Sequence, residues 1–173
     1  MSKGKQKAAL DTFRKMDLLA DLSEDELEAV AGIAREVRVP AGEVIMREGE
    51  VGDSMYLFAE GEAMVTKNLT LKTGKQGFSQ AEKSMVRLNA QYVSFFGDMA
   101  MFENDVRSAT ITASSSCVLY EIKRAELEGL TARRPALGYK LVRRIAVVLC
   151  KRVRQGNQDI LKLTTALSIA LSK

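Results

Sequence analysis

The sequence predicts a mainly β domain with flanking helices, and three observations lead there. Between residues 36 and 68, four glycines at 42, 49, 52 and 61 separate short β-type runs spaced about ten residues apart, the rhythm of a sandwich or barrel. Alternation of apolar with small polar residues resumes in "ATITASSSCVLYEI". Before residue 35 and after residue 123, apolar residues recur instead at helical spacing.

Taken in order, residues 8–35 read as helical. Leu10, Phe13 and Leu18 mark a short amphipathic piece. Ser23, with Glu26 three residues on, forms a capping box, and Leu27, Val30, Ala31 and Ala34 supply the inward stripe that follows. Residues 44–46 and 55–58 are strands. The turns at 40–43, 48–50 and 60–62 carry glycine where a positive φ is expected. "NLTLKTGKQGFSQAEKSMVRL" is a long hairpin with a mobile tip. Beyond it, Ile111, Ala113, Val118 and Tyr120 face one side of their strands and the threonines and serines the other.

"KRAELEGLTARRP" is a helix and its end, and Pro135 opens the next helix, where its missing N–H is harmless. That helix, roughly 136–154, has two apolar stripes: Leu141, Ile145 and Val148, and Val142, Ala146, Leu149 and Val153. Packing on its own domain needs one stripe, so the second asks for another surface. The tail "DILKLTTALSIALSK" reads as a further amphipathic helix. The chain thus divides into an N-terminal helical segment (1–35), a β unit (36–125), helices of the same domain (126–154) and a helical tail (155–173).

Composition narrows the function. A chain of 173 residues fits one domain, and at that length folding buries about 70% of the unfolded surface. The longest apolar run, 145–150, is too short to span a bilayer, and the basic N-terminal "MSKGKQK" leads into no apolar segment of a signal peptide. Cys117 and Cys150 lie far apart among apolar neighbours, which suits buried thiols in a reducing, cytoplasmic setting.

The chain has no histidine, which removes the usual general base and the usual ligand of catalytic zinc. Binding, not catalysis, is the expectation, with no metal and no cofactor. The net charge of +4 is spread between the start of the chain and the terminal helix, so no nucleic-acid partner is expected. The cluster Lys151, Arg152 and Arg154 has no interleaved aromatics and reads as a solvated helix end. Met46, Met55, Met64, Met85, Met99 and Met101 read as gap-filling core residues.

The most informative stretch is "FFGDMAMFENDVRSAT", residues 95–110. Gly97 and Asp98 precede a short apolar helix, and Arg107 follows, trailed by Ser108, Ala109 and Thr110. Free amides at a helix start attract phosphate, and a guanidinium alongside adds a two-pronged donor. A carboxylate there needs a different partner, such as a sugar hydroxyl. A purely structural reading stays open too: an acid stabilises a first helical turn, and an arginine entering a strand is commonly solvated.

From residue 22 to about 154, some three-quarters of its length, the chain resembles the cyclic-nucleotide-binding domain of catabolite-activator-type bacterial regulators, cyclic-nucleotide-dependent kinases and gated channels. The pieces in order are "LSEDELEAVA", "VPAGEVIMREGEVGDSMYLFAEGEAMV", "FFGDMAMFENDVRSATITA", "VLYEI" and the proline before "LVRRIAVVL". The resemblance implies an antiparallel β-roll, a double-stranded β-helix of jelly-roll type. It also implies a phosphate-binding cassette in which amides at Gly97, Met99 and Ala100 face the ligand. In that cassette Arg107 holds the cyclic phosphate, Ser108 hydrogen-bonds it and Ala109 follows.

Asp98 takes the place of the family's glutamate, which receives the ribose 2′-hydroxyl, and is one methylene shorter. The glycine usual before "FFG" is replaced by Val93 and Ser94, and residues 146–149, where relatives put polar purine contacts, are apolar. Cyclic AMP is the preferred ligand, and Ser108 is compatible with cyclic GMP. Arg143 and Arg144 are surface charges, or one of them pairs with Asp98 and, with Val148, makes the terminal helix a ligand sensor.

The resulting expectation is a cytoplasmic, non-catalytic sensor. It dimerises through the 136–154 helix and acts on an unidentified output protein when its conformational populations shift. Many bacterial relatives carry a DNA-reading domain after this helix. The roughly 19 residues that follow Arg154 are too few for one. A complete chain is then a sensor without its own output, and an excerpt has its output beyond Lys173. Two alternatives remain: a degenerate domain kept for dimerisation that binds no nucleotide, and a sensor of another small anion.

Overall fold

A computed structural model describes residues 3–72, 78–103 and 106–172. Helix α1 (Lys3–Phe13) is followed by a 3₁₀ turn (Asp17–Leu19) and α2 (Glu24–Ile33). Eight strands come next: β1 (Arg35–Val39), β2 (Val44–Met46), β3 (Ser54–Glu60), β4 (Glu62–Lys72), β5 (Phe78–Asn89), β6 (Phe95–Phe96), β7 (Thr110–Ala113) and β8 (Cys117–Lys123). The four-residue helix α3 (Met99–Phe102) lies between β6 and β7, and α4 (Arg124–Arg133) and α5 (Pro135–Leu171) close the chain.

The strands form two antiparallel four-stranded sheets, ordered β1-β8-β3-β6 and β2-β7-β4-β5, which close on each other as the β-roll the sequence suggests. The roll interior is filled by Val39, Phe58, Ala63, Phe96, Ile111, Ala113, Cys117 and Leu119. A second core lies outside the first sheet, where Met55, Leu57, Phe95, Tyr120 and Ile122 meet Phe13, Leu19, Val30, Leu137, Leu141 and Ile145 of the helices.

Strand β8 therefore works on both faces. Ile111 and Ala113 do point into the roll, but Tyr120, expected beside them, points out beneath the helices, its ring edge-on to Phe13 at 4.9 Å. Cys117 and Leu119 take the interior positions instead. β8 is central in its sheet, flanked by β1 and β3 and covered on both sides, so its alternation carries no inside–outside signal.

The capping box forms as expected: Ser23 N–H donates to Glu26 Oε2 at 2.7 Å, and Glu26 N–H to Ser23 Oγ at 3.3 Å. Gly42, Gly49 and Gly61 adopt φ of 87°, 83° and 103°. β4 and β5 pair from Glu62–Asn89 to Lys72–Phe78, which makes the long hairpin; its tip, residues 73–77, lies outside the described residues.

The expected break near residue 154 is absent. α5 is one 37-residue helix running through Gly156. A lone glycine in a helix costs about 1 kcal/mol relative to alanine, too little to stop it without a proline. The first part of α5 packs on the domain through Leu137, Leu141 and Ile145. It is tied by Arg134–Asp25 (2.7 Å), Lys140–Glu26 (2.7 Å) and Arg144–Asp21 (2.5 Å). From residue 149 to 172 every residue is exposed, the second apolar stripe included.

Both cysteines are free. Cys117 is buried, whereas Cys150 is exposed on the outer side of α5, because the apolar residues around it in sequence belong to the uncovered stripe. Met55 and Met101 are core, but Met99 is half-exposed at the start of α3. The side chain of Met85 is outside the described set. Among the described residues, no helix is long and apolar enough to cross a membrane.

Candidate functional site

β6 pairs with the edge of β3 through Tyr56–Phe96 and Leu57–Phe95, which sets the level at which the chain leaves the sheet. It leaves through Gly97, at φ +74°, and enters α3. A Cβ on Gly97 would stand 2.9 Å from Arg107 Nη1 and 3.4 Å from the Ser54 carbonyl, so glycine is required by both conformation and space.

Arg107 comes in from the other side of α3. Its main chain is clamped to the 48–50 turn, its N–H donating to Glu50 O at 2.8 Å and its carbonyl accepting from Gly49 N–H at 2.9 Å. The side chain then runs inward until the residue is only 7% exposed. Nη1 donates to Gly97 O at 3.2 Å and Nη2 to Ser54 Oγ at 3.2 Å, while the guanidinium carbon sits 5.9 Å from the Tyr56 ring centroid.

Every one of these partners is uncharged. Among the described residues no carboxylate pairs with Arg107. A buried cation with only neutral acceptors keeps part of its desolvation penalty uncompensated, so the position favours an anion. Arg107 is also one of the residues that line a cavity of about 290 Å³, together with Glu48, Gly49, Lys67, Met99, Ala100, Glu103, Val106 and Ser108.

The structure thus brings Met99, Ala100, Arg107 and Ser108 to one cavity; Gly97 does not line it, and its carbonyl is held by Arg107. Ala109 is half-buried in the link to β7 and does not line it. Asp98 turns elsewhere. It is 4% exposed, and Arg152 Nη1 donates to Oδ1 at 3.0 Å and Oδ2 at 3.2 Å. Arg152 Nη2 donates to Phe95 O at 3.0 Å, and the guanidinium lies over the Phe95 ring at 5.0 Å.

Arg143 and Arg144 do not pair with Asp98. They meet Asp21, and Arg144 also meets Asp17, because the start of α5 packs against the 3₁₀ turn that carries those acids. Val148 lines a separate cleft of about 770 Å³ between α5, the 90–95 loop and the end of α1, which Arg152 also lines. Arg152 is therefore no solvated helix end.

Sequence reasoning missed four residues here, and Arg152 had a readable signal: it extends the inward stripe Leu141, Ile145, Val148 by one more turn. Gly52 was read only as one of the glycines separating β-type runs, yet a Cβ there would collide with Arg107 Nε. Ser54, buried on β3, gave no sign of its hydrogen bond. Arg124 Nη2 donates to the carbonyls of Ala100 and, at 2.9 Å, of Glu103, and so ties the end of α3 to the start of α4.

Comparisons with known proteins converge on this region. The family profile described as cyclic nucleotide-binding domain matches residues 36–134. A cyclic nucleotide-gated potassium channel of Rhizobium etli is 32% identical over 130 residues, covering 75% of this chain and 30% of the channel. The chain matches between 15% and 30% of the length of the first curated relatives.

Among solved structures, a cyclic nucleotide-binding domain from Methylobacillus flagellatus superposes with a TM-score of 0.74 at 25% identity, over 91% of this chain and 83% of that one. The regulatory domain of Toxoplasma gondii PKA in complex with cAMP gives 0.59 at 25% identity, over 75% of this chain and 46% of that one.

Proposed function

Since this chain belongs to the cyclic nucleotide-binding domain family, we propose that it is a non-catalytic sensor whose β-roll takes a cyclic nucleotide, cyclic AMP in preference to cyclic GMP. The cyclic phosphate sits against Arg107 and Ser108 in the cavity beside α3, near the backbone of Gly97, Met99 and Ala100. The observation that carries this reading is Arg107 itself: a buried guanidinium whose described partners are all neutral, on a residue that lines a cavity near the lower size of small-ligand pockets, about 300 Å³. The base region of α5 is apolar, so the phosphate supplies most of the recognition.

Output runs through α5 to an unidentified protein. The exposed side of α5 supports a homodimer. Tyr139, Ala146, Val153, Ile160 and Leu167 recur every seven residues, and Val142, Leu149, Gly156, Leu163 and Ala170 interleave with them. Val153 and Ile160 in the first series, with Leu149 and Leu163 in the second, suit a parallel two-stranded coil. A cytoplasmic location fits the two free thiols. Sedimentation of the intact chain gives a dimer, and Ile160→Asp with Leu163→Asp gives a folded monomer.

The second reading, a domain kept for dimerisation that binds no nucleotide, draws on Asp98 being held by Arg152. Titration calorimetry with cyclic AMP and cyclic GMP separates the two. Saturable heat with either supports the sensor, and no heat with both leaves the dimerising scaffold.

A further inference from the structure

We infer that Arg152 contends with the ligand's sugar for Asp98, and thereby sets both the sugar selectivity of the site and the point where α5 couples to it. This rests on the nucleotide reading above. The turn from Phe95 to Asp98 is gripped from two directions. Arg107 takes the Gly97 carbonyl, at 3.2 Å, and is among the residues lining the cavity. Arg152, from α5, takes the Phe95 carbonyl and both oxygens of Asp98, and lines the separate cleft.

Asp98 stands at the N-cap of α3 but makes no capping hydrogen bond with its side chain. Among the described residues, Arg152 is the only side chain bonded to it. The carboxylate best placed by sequence to accept a ribose 2′-hydroxyl is therefore already spent on a charged donor, and a neutral hydroxyl is the weaker competitor. A nucleotide reaches Asp98 only when Arg152 lets go, and Arg152 lies in the part of α5, residues 149–171, where every residue is exposed. Sugar recognition and release of α5 are then one equilibrium, and by linkage each favours the other. With Arg152 in place, the site reads the phosphate and is nearly blind to the 2′-hydroxyl.

The test is calorimetric titration of the full chain, wild type, Arg152→Gln and Arg152→Lys, with cyclic AMP, cyclic GMP and the 2′-deoxy analogue of each. Wild type is expected to bind a nucleotide and its 2′-deoxy analogue with similar affinity. Arg152→Gln is expected to tighten the ribonucleotide about tenfold and leave the deoxy analogue unchanged. Arg152→Lys keeps the charge but loses the fork and falls between them, and it decides the matter alone should the Gln variant not fold. Binding by the variants where wild type shows none also supports the inference. Variants that bind the ribonucleotide no more tightly than wild type overturn it and leave the nucleotide reading standing, as does equal tightening of both sugars. No binding by any form, with folding confirmed by thermal melt, overturns both.

Discussion

The two flanks of the turn at Gly97 carry opposite kinds of buried charge. On the roll side, Arg107 is a cation among neutral oxygens next to a cavity. On the helix side, Asp98 is an anion whose counter-charge is already present in Arg152. Both groups are almost fully buried and lie within one short segment, yet one is completed by the protein and the other is not. The contrast teaches where an outside charge is better accommodated: a buried pair supplies its own counter-charge, whereas a buried cation with only neutral partners among the described residues favours an anion from outside.

The strongest way to break the contrast is Arg107→Ala. Nucleotide affinity in calorimetry is expected to fall by about 2–5 kcal/mol, the range for removing one member of a buried charge pair. Thermal stability should change far less, because the residue lost has no counter-charge among the described residues. Gly52→Ala comes next. Its new Cβ would occupy the space of the Arg107 stem, so binding should weaken in the same assay while the guanidinium stays in the chain; unaltered affinity would show that the stem has room to move.

Asp98→Glu sharpens the other flank. Made in the Arg152→Gln background, where the carboxylate is free of its charged partner, the longer side chain reaches further toward a sugar, and affinity is expected to rise by about 0.5–1.5 kcal/mol over Arg152→Gln alone, the worth of one hydrogen bond.

The smallest effect is that of pH on the anchor of α5. The hydrogen bond from Arg144 holds the Asp21 carboxyl below its ordinary range, and that from Lys140 does the same for Glu26. Both acids are stronger in the folded protein, so their contribution is complete above the ordinary carboxyl value near about 4 and is lost as pH falls through the lower folded values. Hydrogen exchange in residues 135–148 should therefore quicken in acid before the β-roll amides do.

Much of the roll side was legible in the sequence. Gly97, Arg107 and Ser108 stand in one stretch whose residue types and spacing leave a structural reading open, and it is the family resemblance that singles them out; the turn glycines are marked by their position between strands. The helix side was not, because its logic is long-range. Arg152 lies among similar basic residues, and its partner stands 54 positions away in sequence. Arg143 and Arg144 looked like the better candidates for Asp98 until the packing of α5 on the 3₁₀ turn delivered them to Asp21. Gly52 was visible as a glycine, but only the path of the Arg107 stem explains it. Tyr120 was assigned to the wrong face because a doubly covered strand has no polar side to orient it.

The length of α5 has a mechanical consequence. Residues 149–171 extend about 35 Å past the last buried contact, at about 1.5 Å per residue, as a single stiff rod. Pivoting that rod by about 10° where it leaves the roll would carry its tip through about 6 Å, roughly the pitch of one helical turn. A lever of this reach converts an angular change barely visible at Val148 into a displacement as wide as a side chain at Leu171.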